Sequence, residues 1–193
     1  MFSLFKRIID FSLSLLILIC LSVVLIILCL LIKIDSPGPI LFKQIRSGKD
    51  KKEFLILKFR TMKVDAPKDM PTHLLDKPDF YITRVGKLLR KTSLDELPQL
   101  FNILKGEMSI IGPRPALWNQ YDLIEERDKY KANDILPGLT GLAQIRGRDE
   151  LPIEVKAKID GEYFKNMNPW VDAEIFVKTI FSVLKSDGVK EGK

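Results

Sequence analysis

Histidine and cysteine, which serve many catalytic and metal sites, are almost missing from this chain of 193 residues. The single histidine, His73, lies in a proline-containing stretch, so neither a histidine-based catalytic triad nor a zinc site with several histidines is expected. The two cysteines, Cys20 and Cys29, both lie in an apolar run near the N-terminus, which argues against a disulfide framework and a cysteine zinc motif. Carboxylates and basic side chains are therefore the candidate functional groups.

The length and the charge of the chain narrow the class of protein. A chain of 193 residues is one domain, with room for an appended segment. Its formal net charge of +6 suits an anionic partner, such as a phospholipid, a nucleotide or a nucleic acid.

Residues 11–32 form a long run without a charged side chain. As a helix these 22 positions would be roughly 33 Å long, enough to cross the hydrocarbon core of a membrane. A signal peptide has a shorter apolar region, of about 7–15 residues, followed by a small-residue cleavage site that is missing here. The run therefore predicts a membrane anchor.

The flanks of this run are basic on both sides. Positive charge marks the cytoplasmic side of a membrane segment, so two basic flanks favour a helix that enters and returns to the same leaflet. No proline or glycine interrupts the run, however, and the residues leave both a spanning helix and a re-entrant hairpin open. The flanking basic residues are Lys6, Arg7, Lys33, Lys43, Arg46, Lys49, Lys51 and Lys52.

Two short apolar-rich runs, residues 40–45 and Glu53–Phe59, are separated by a turn and predict a β-hairpin. The hairpin would carry four basic side chains, Lys43, Arg46, Lys58 and Arg60, which together would meet anionic headgroups or a lipid phosphate beside the anchor. A loop is predicted for residues 64–79, and helices are predicted around residues 82–91, at 116–131, at Ile153–Asn166 and at 171–185.

Residues 92–106 contain adjacent acids, Asp95 and Glu96, in front of apolar residues at helical spacing. Gly106 is placed to end this helix, and Pro98 must lie in its first turn because it lacks an N–H group. This favours Asp95 as the N-cap, while Ser93 in a capping box with Glu96 is the competing register. Acids at a helix start are often mere caps, but free N–H groups there also favour a phosphate.

Basic residues lie close to this acidic pair in the sequence. Arg90 precedes Asp95 by five residues, so it is a candidate for the same pocket. Arg114 lies between two prolines, and a guanidinium on a stiff backbone is a good bidentate clamp for phosphate. Residues 137–141 and 143–148 predict a Gly-rich, Arg-containing loop whose N–H groups approach phosphate, although it is neither a Walker loop nor a G-x-G-x-x-G motif.

These motifs, in this order and spacing, resemble the small monotopic bacterial phosphoglycosyl transferases, which start glycan assembly on a polyprenol phosphate carrier. The resemblance covers nearly the whole chain. It departs from the family where Val23 follows Ser22, since many members have proline there, and also at Asn119, Leu136 and Ile153. The matching segments are residues 6–10, Gly38 and Pro39 with Gln44, Arg46 and Gly48, residues 58–62, 90–102, 105–109, 112–115 and 137–144, Gly147 and Arg148, and Asp160 with Tyr163 and Asp172.

The resemblance implies a reaction in which a UDP-sugar gives its phosphosugar to undecaprenyl phosphate and UMP is released. It implies that Asp95 attacks the β-phosphate and forms a covalent intermediate, that Glu96 assists by proton handling or metal contact, and that Mg²⁺ binds at Asp95. It also implies substrate-binding roles for five residues: Arg90, Arg114, Gln144, Arg148 and Asp160.

The implied fold is α+β and mostly helical, with a small β-hairpin and amphipathic interfacial helices around the active site. Residues 1–34 would be a re-entrant membrane helix and residues 35–193 a catalytic domain on the cytoplasmic face of the bacterial inner membrane. The partners would be a UDP-sugar, undecaprenyl phosphate and membrane phospholipid. The alternative is a non-catalytic membrane scaffold; a nucleic-acid binder rests on charge alone and lacks a recognisable motif.

Overall fold

The computed structural model describes residues 2–67, 78–147 and 151–185, which are mostly helical with two small sheets. The predicted α+β, mostly helical class is confirmed. The helices are α1 (Phe2–Cys20), α2 (Ser22–Asp35), α3 (Pro78–Tyr81), α4 (Arg84–Lys91), α5 (Gln99–Lys105), α6 (Tyr121–Asp128), α7 (Leu142–Arg146), α8 (Ile153–Asn166) and α9 (Pro169–Lys185). The strands are β1 (Leu41–Ser47), β2 (Glu53–Phe59), β3 (Ser109–Ile111) and β4 (Gly138–Thr140), and 3₁₀ turns lie at Lys49–Lys51, Leu94–Glu96 and Ala132–Asp134.

The predicted anchor consists of two helices, α1 and α2, whose axes are bent by 65° at Leu21. Among the described helices none is by itself long and apolar enough to cross a membrane, and the bent pair qualifies only by its length and composition. The bend falls directly before Ser22, although the residue that follows is Val23 and not proline. Such a bend is compatible with the re-entrant alternative, and the relation of this pair to a membrane stays a prediction.

Helices α1 and α2 also contribute to the packed core. Leu18 of α1 joins the larger apolar cluster, which is centred on α5 and β3. Leu28 and Ile32 of α2 pack with Phe59 of β2 and Leu89 of α4. The remaining apolar side chains of the pair are largely exposed, among them Ile8, Leu16, Ile19, Val23, Ile26, Leu30 and Ile34.

The predicted β-hairpin is confirmed, with β1 and β2 antiparallel and Leu41 opposite Phe59. Helix α5 is attached to the outer edge of β2 through Asn102, a fully buried amide. The Asn102 Oδ1 atom accepts a hydrogen bond from the Leu57 N–H at 3.0 Å, and its Nδ2 donates to the Leu55 carbonyl at 2.8 Å. This attachment places Lys58, the next residue of β2, beside the turn that leads into α5.

The predicted Gly-rich loop is wrong over most of residues 138–146, because Gly138–Thr140 form strand β4 and Leu142–Arg146 form helix α7. Strand β4 pairs in parallel with β3, Ser109 opposite Gly138. The glycines allow close backbone packing, because a Cβ atom on Gly138 would lie 2.2 Å from the nitrogen of Gly112. The Gly112 N–H donates to the Thr140 carbonyl at 2.8 Å and the Gly138 N–H to the Pro113 carbonyl at 2.8 Å. These two N–H groups therefore hold the strands and are not available to a phosphate.

Three predicted element bounds also need correction. The helix predicted at residues 116–131 is limited to α6. Ala116 and Leu117 are instead buried in extended backbone against the hairpin. There the Ser47 N–H donates a hydrogen bond to the Ala116 carbonyl at 3.0 Å. Helix α9 begins at Pro169, two residues earlier than predicted, and the loop predicted to residue 79 ends earlier, since α3 begins at Pro78. The rest of that loop, including His73, lies largely outside the described residues.

Candidate active site

The two acids lie in the 3₁₀ turn Leu94–Glu96, and α5 begins only at Gln99, after Pro98. Neither predicted cap forms. Ser93 adopts a left-handed conformation (φ 55°) and makes no side-chain cap, and the N-cap position of α5 is Pro98. The carboxylate of Glu96 does not cap the helix and instead accepts hydrogen bonds from cations elsewhere in the fold. Gly106, with φ 87°, ends α5 as predicted.

Glu96 is the point at which three elements of the fold meet. Its Oε1 atom accepts a hydrogen bond from Lys58 Nζ on β2 at 2.6 Å. The same oxygen accepts one from Arg114 Nη2, in the loop after β3, at 2.9 Å. Two cations on separate elements are thereby gathered around the acidic turn.

The electrostatic consequence for Glu96 is a strongly acidic carboxyl group. Burial opposes ionisation, but Arg114 and Lys58 outweigh it and hold the pKa of Glu96 well below its ordinary value of 4.5. Charge-assisted hydrogen bonds of this kind favour the ionised form. Glu96 is therefore a carboxylate near neutral pH and a poor carrier of protons there.

Asp95 is in the opposite electrostatic situation. Burial raises its pKa above the ordinary value of 3.8; Lys58 opposes that rise, the neighbouring charge of Glu96 adds to it, and Arg90 and Arg114 also oppose it. Within the described part of the chain no side chain donates a hydrogen bond to its carboxyl group. Two adjacent carboxyl groups thus have pKa values pushed apart, a pattern that concentrates at functional sites.

The arginines predicted for the pocket are brought to it. Arg90, in the last turn of α4, donates through Nε to Thr61 Oγ1 at 2.8 Å, and its charge acts on Asp95. Arg114 follows β3 in a loop that is fixed on both sides. On one side Gly138 of β4 binds the Pro113 carbonyl, and on the other Arg46 of β1 donates through Nη1 to the Pro115 carbonyl at 3.1 Å.

Lys58 is the site residue that sequence reasoning did not single out. It was one of several basic side chains on the predicted hairpin, and nothing local distinguishes it from an exposed lysine such as Lys49. The available signal was its membership in the segment 58–62, which is part of the family resemblance. Only the docking of α5 on β2 shows that its ammonium group reaches Glu96.

The other predicted binding residues are not shown in contact with the acidic turn. Asp160 is 1% exposed and forms an ion pair with Arg127, which is 4% exposed, at 2.6 Å. Burial raises the pKa of Asp160, and Arg127 opposes that rise. Gln144 lies on α7, with Nε2 3.4 Å from the Leu139 carbonyl, and Arg148 lies outside the described residues. The binding roles of these residues stay predictions.

The donor set at the turn can be tested against Mg²⁺. Across the described ranges there is no cluster of three or more acidic, cysteine or histidine side chains that could hold a metal ion. Mg²⁺ commonly uses only one or two protein carboxylates and takes its other ligands from water and substrate phosphates. Asp95, whose carboxyl group accepts no side-chain hydrogen bond from the described residues, fits such a site in the presence of a phosphate substrate.

Comparison with known proteins identifies the family to which the chain belongs. The profile of a family described as bacterial sugar transferase matches residues 1–186. The chain therefore belongs to the bacterial sugar transferase family, and the resemblance noted in the sequence is confirmed.

Several relatives match over most of the chain. An uncharacterized sugar transferase of Bacillus subtilis, EpsL, is 37% identical over 187 residues, which are 96% of this chain and 90% of the relative. The UDP-glucose:undecaprenyl-phosphate glucose-1-phosphate transferase of Escherichia coli is 41% identical over 186 residues, 92% of this chain and 40% of the relative. The UDP-N-acetylgalactosamine-undecaprenyl-phosphate N-acetylgalactosaminephosphotransferase of Aeromonas hydrophila is 40% identical over 168 residues, 83% of this chain and 39% of the relative. The chain thus spans most of one relative and about two fifths of the two others.

Proposed function

We propose that this protein transfers the phosphosugar of a UDP-sugar to undecaprenyl phosphate and releases UMP. The observation that carries the proposal is the convergence of Lys58 and Arg114 on Glu96, directly beside the carboxyl group of Asp95, on which the same two cations act electrostatically. A nucleophile surrounded by cations is the arrangement that the transfer of a charged phosphoryl group requires. The names of the Escherichia coli and Aeromonas hydrophila relatives support the donor and the acceptor.

Asp95 is the proposed nucleophile. Its carboxylate oxygen attacks the β-phosphorus of the UDP-sugar, the bond from that phosphorus to the bridging oxygen breaks, and UMP leaves with the oxygen. An oxygen of undecaprenyl phosphate then attacks the same phosphorus and releases the Asp95 carboxylate. A covalent carboxylate route divides one difficult transfer into two easier ones. Only the ionised group attacks, and the nearby positive charges of Lys58, Arg90 and Arg114 favour that form because they oppose the burial that raises the pKa of Asp95.

The cations have the proposed role of binding the diphosphate. Arg114 is 38% exposed, so its guanidinium can contact a ligand while it remains near Glu96. Lys58 is 16% exposed and adds a second positive charge from the hairpin. Glu96, held as a carboxylate, orients both cations, and its low pKa favours this role over proton transfer. Mg²⁺ held at Asp95 would supply further neutralisation of the diphosphate charge.

The same site is proposed to lie at the cytoplasmic face of a bacterial membrane. The exposed apolar side chains of α1 and α2 form a hydrophobic surface next to the basic hairpin of β1 and β2. A bent pair of helices that returns to its own leaflet would keep both basic flanks on the cytoplasmic side. That geometry would bring the acidic turn within reach of a lipid-linked phosphate.

The test is UMP release by the full chain in nanodiscs supplied with Mg²⁺, undecaprenyl phosphate and one UDP-sugar at a time. Relatives with names that specify glucose and N-acetylgalactosamine make those two donors the first of the panel. Release of UMP that depends on one donor and on the lipid phosphate supports the proposal. Folded protein that releases no UMP across a broad panel would support the non-catalytic scaffold instead.

A further inference from the structure

The first turns of α1 carry three charged residues, Lys6, Arg7 and Asp10, in a helix that is otherwise almost entirely apolar. Asp10 is only 3% exposed. A carboxyl group buried in this way is costly unless it is well hydrogen-bonded, and an ionisable residue in a membrane segment marks a functional contact. The proposed reaction gives none of these three residues a role.

Asp10 binds the free edge of strand β3. Its Oδ2 atom accepts a hydrogen bond from Ser109 Oγ at 2.7 Å, and its Oδ1 accepts one from the Ile110 N–H at 3.1 Å. The other edge of β3 is paired with β4. The carboxyl group of Asp10 thus takes the place of a neighbouring strand and fixes β3 from the side of α1.

Lys6 reaches the last residue of the same strand through two intermediates. Its Nζ atom donates to Asp172 Oδ2 on α9 at 2.6 Å, and Asp172 Oδ1 accepts a hydrogen bond from the Tyr163 hydroxyl of α8 at 2.7 Å. The Tyr163 hydroxyl also lies 3.3 Å from the Ile111 carbonyl. Every residue of β3 is therefore linked to the polar turns of α1.

Arg7 holds the second component of the site. Its guanidinium donates to the carbonyls of Ile103 and Leu104, the latter at 2.9 Å, in the last turn of α5. A cation at a helix C-terminus satisfies open carbonyl groups and complements the helix dipole. Helix α5 begins three residues after Glu96, so Arg7 anchors the element that carries the acidic turn.

Strand β3 leads into Arg114 after two residues, Gly112 and Pro113. The contact between Glu96 and Arg114 therefore joins two segments that α1 holds at separate points. We propose that Asp10 is a positioning residue for Arg114, and that the first turns of α1 set the position of the Arg114 guanidinium beside Glu96. This inference rests on the proposed function, because that function assigns Arg114 to the diphosphate of the UDP-sugar.

The experiment is a double-mutant cycle on kcat/KM for the UDP-sugar, with Asp10→Ala and Arg114→Ala in the full chain in nanodiscs. Asp10→Ala leaves the Ile110 N–H without its acceptor and lets β3 shift, and misplacement on the scale of 1 Å costs about a hundredfold. We expect a loss of about 10–100-fold in the wild-type background. In the Arg114→Ala background we expect less than about a threefold further loss, because coupled residues are non-additive.

Two further variants separate positioning from folding. Asp10→Asn keeps a carbonyl oxygen for Ile110 and is expected to retain kcat/KM within about fivefold of wild type. Ser109→Ala removes only the hydroxyl group that donates to Asp10, so it tests the proposal even if Asp10→Ala does not fold. Its loss of kcat/KM should be smaller than that of Asp10→Ala, and it must disappear in the Arg114→Ala background. Ser14→Ala is the matched control, because Ser14 is as buried as Asp10 one turn further along α1 but its hydroxyl has no partner within the described residues.

Losses that multiply in the double variant would overturn the inference, since Asp10 would then act independently of Arg114. An unchanged kcat/KM in Asp10→Ala would overturn it as well. The same cycle measured as UDP affinity by calorimetry separates this inference from the proposed function. If the wild type binds UDP, the effects of the two substitutions on UDP affinity are non-additive, and no UMP is released, the proposed function fails and the positioning role stands. If the wild type neither binds UDP nor releases UMP, both fail.

Discussion

Arg114 and Lys58 share a single acceptor, the Oε1 atom of Glu96, at 2.9 Å and 2.6 Å. The lysine comes from the hairpin and the arginine from the loop after β3, so this oxygen joins segments that are 56 positions apart in the chain. The relationship makes Glu96 the organiser of the positive charge around Asp95. It also makes the stability of the site depend on the ionisation of one carboxyl group.

Substitution of Glu96 by Gln is expected to destabilise the protein at neutral pH. The change leaves two cations without their charged acceptor, and hydrogen bonds to charged groups contribute about 1.5–3 kcal/mol each before the partial exposure of Arg114 reduces that figure. Thermal unfolding of the two proteins at pH 7 measures the difference.

The pH dependence of this effect has a definite sign. Because the pKa of Glu96 is lowered in the fold, the unfolded chain binds more protons below the ordinary value of 4.5, and the stabilisation by Glu96 is lost as the pH falls through that region and below. The gap between wild type and Glu96→Gln should therefore narrow towards acid. A gap that stays constant from pH 7 to pH 4 would contradict the assigned ionisation.

Substitution of Asp95 by Asn is expected to abolish turnover, with a loss of at least about a thousandfold, without a loss of stability. The pKa of Asp95 is raised in the fold, so the folded protein binds more protons and stability decreases as the pH rises from the ordinary value of 3.8 through the folded pKa. Asn removes that cost at neutral pH. A neutral-pH melting temperature clearly below that of wild type would count against the raised pKa.

Lys58 is expected to matter for substrate binding in a way that other hairpin lysines do not. Lys58→Ala should lower kcat/KM for the UDP-sugar by about 10–100-fold, because it removes one partly buried positive charge from the diphosphate site. Lys49→Ala is the matched control, since Lys49 lies in the exposed turn of the same hairpin and changes the net charge equally. Equal losses in the two variants would mean that general charge, and not the site, is responsible.

Whether Asp160 has a structural or a substrate-binding role can be decided by measuring stability and activity separately. Asp160→Ala leaves Arg127 buried without its counter-ion, which typically costs 3–5 kcal/mol, so a large fall in melting temperature is expected. A combined Asp160→Leu and Arg127→Met variant removes both charges and should recover much of that stability. If the recovered protein also regains kcat/KM, the role of Asp160 is structural; if activity stays lost, Asp160 contributes to substrate binding.

The elements that could be predicted from the sequence are those with a local signal. The hairpin has two β-rich runs around a turn, and the helix Ile153–Asn166 lies between prolines, so both were located correctly. The start of α5 was misplaced because capping rules consider only neighbouring residues. The carboxylate of Glu96 is taken by Lys58, 38 residues away, and no local rule includes that contact.

The candidate site was predictable in its acids and arginines but not in its arrangement. Arg114 was recognised from its flanking prolines, whereas the parallel pairing of β3 with β4, which fixes its loop, joins residues 29 positions apart. The same non-local pairing explains why the glycines of residues 137–141 were assigned to phosphate. Their role in close backbone packing depends on Gly112, which lies beyond any local window.

The most direct test of the central claim is the intact mass of the protein after incubation with its UDP-sugar and Mg²⁺ but without undecaprenyl phosphate. The proposed route predicts that wild type gains the mass of one phosphosugar, that Asp95→Asn gains none, and that undecaprenyl phosphate removes the added mass. The contradicting result has two parts. The wild-type protein would release UMP once undecaprenyl phosphate is added, yet it would show no added mass when a single turnover is quenched. That combination would exclude a covalent intermediate on Asp95.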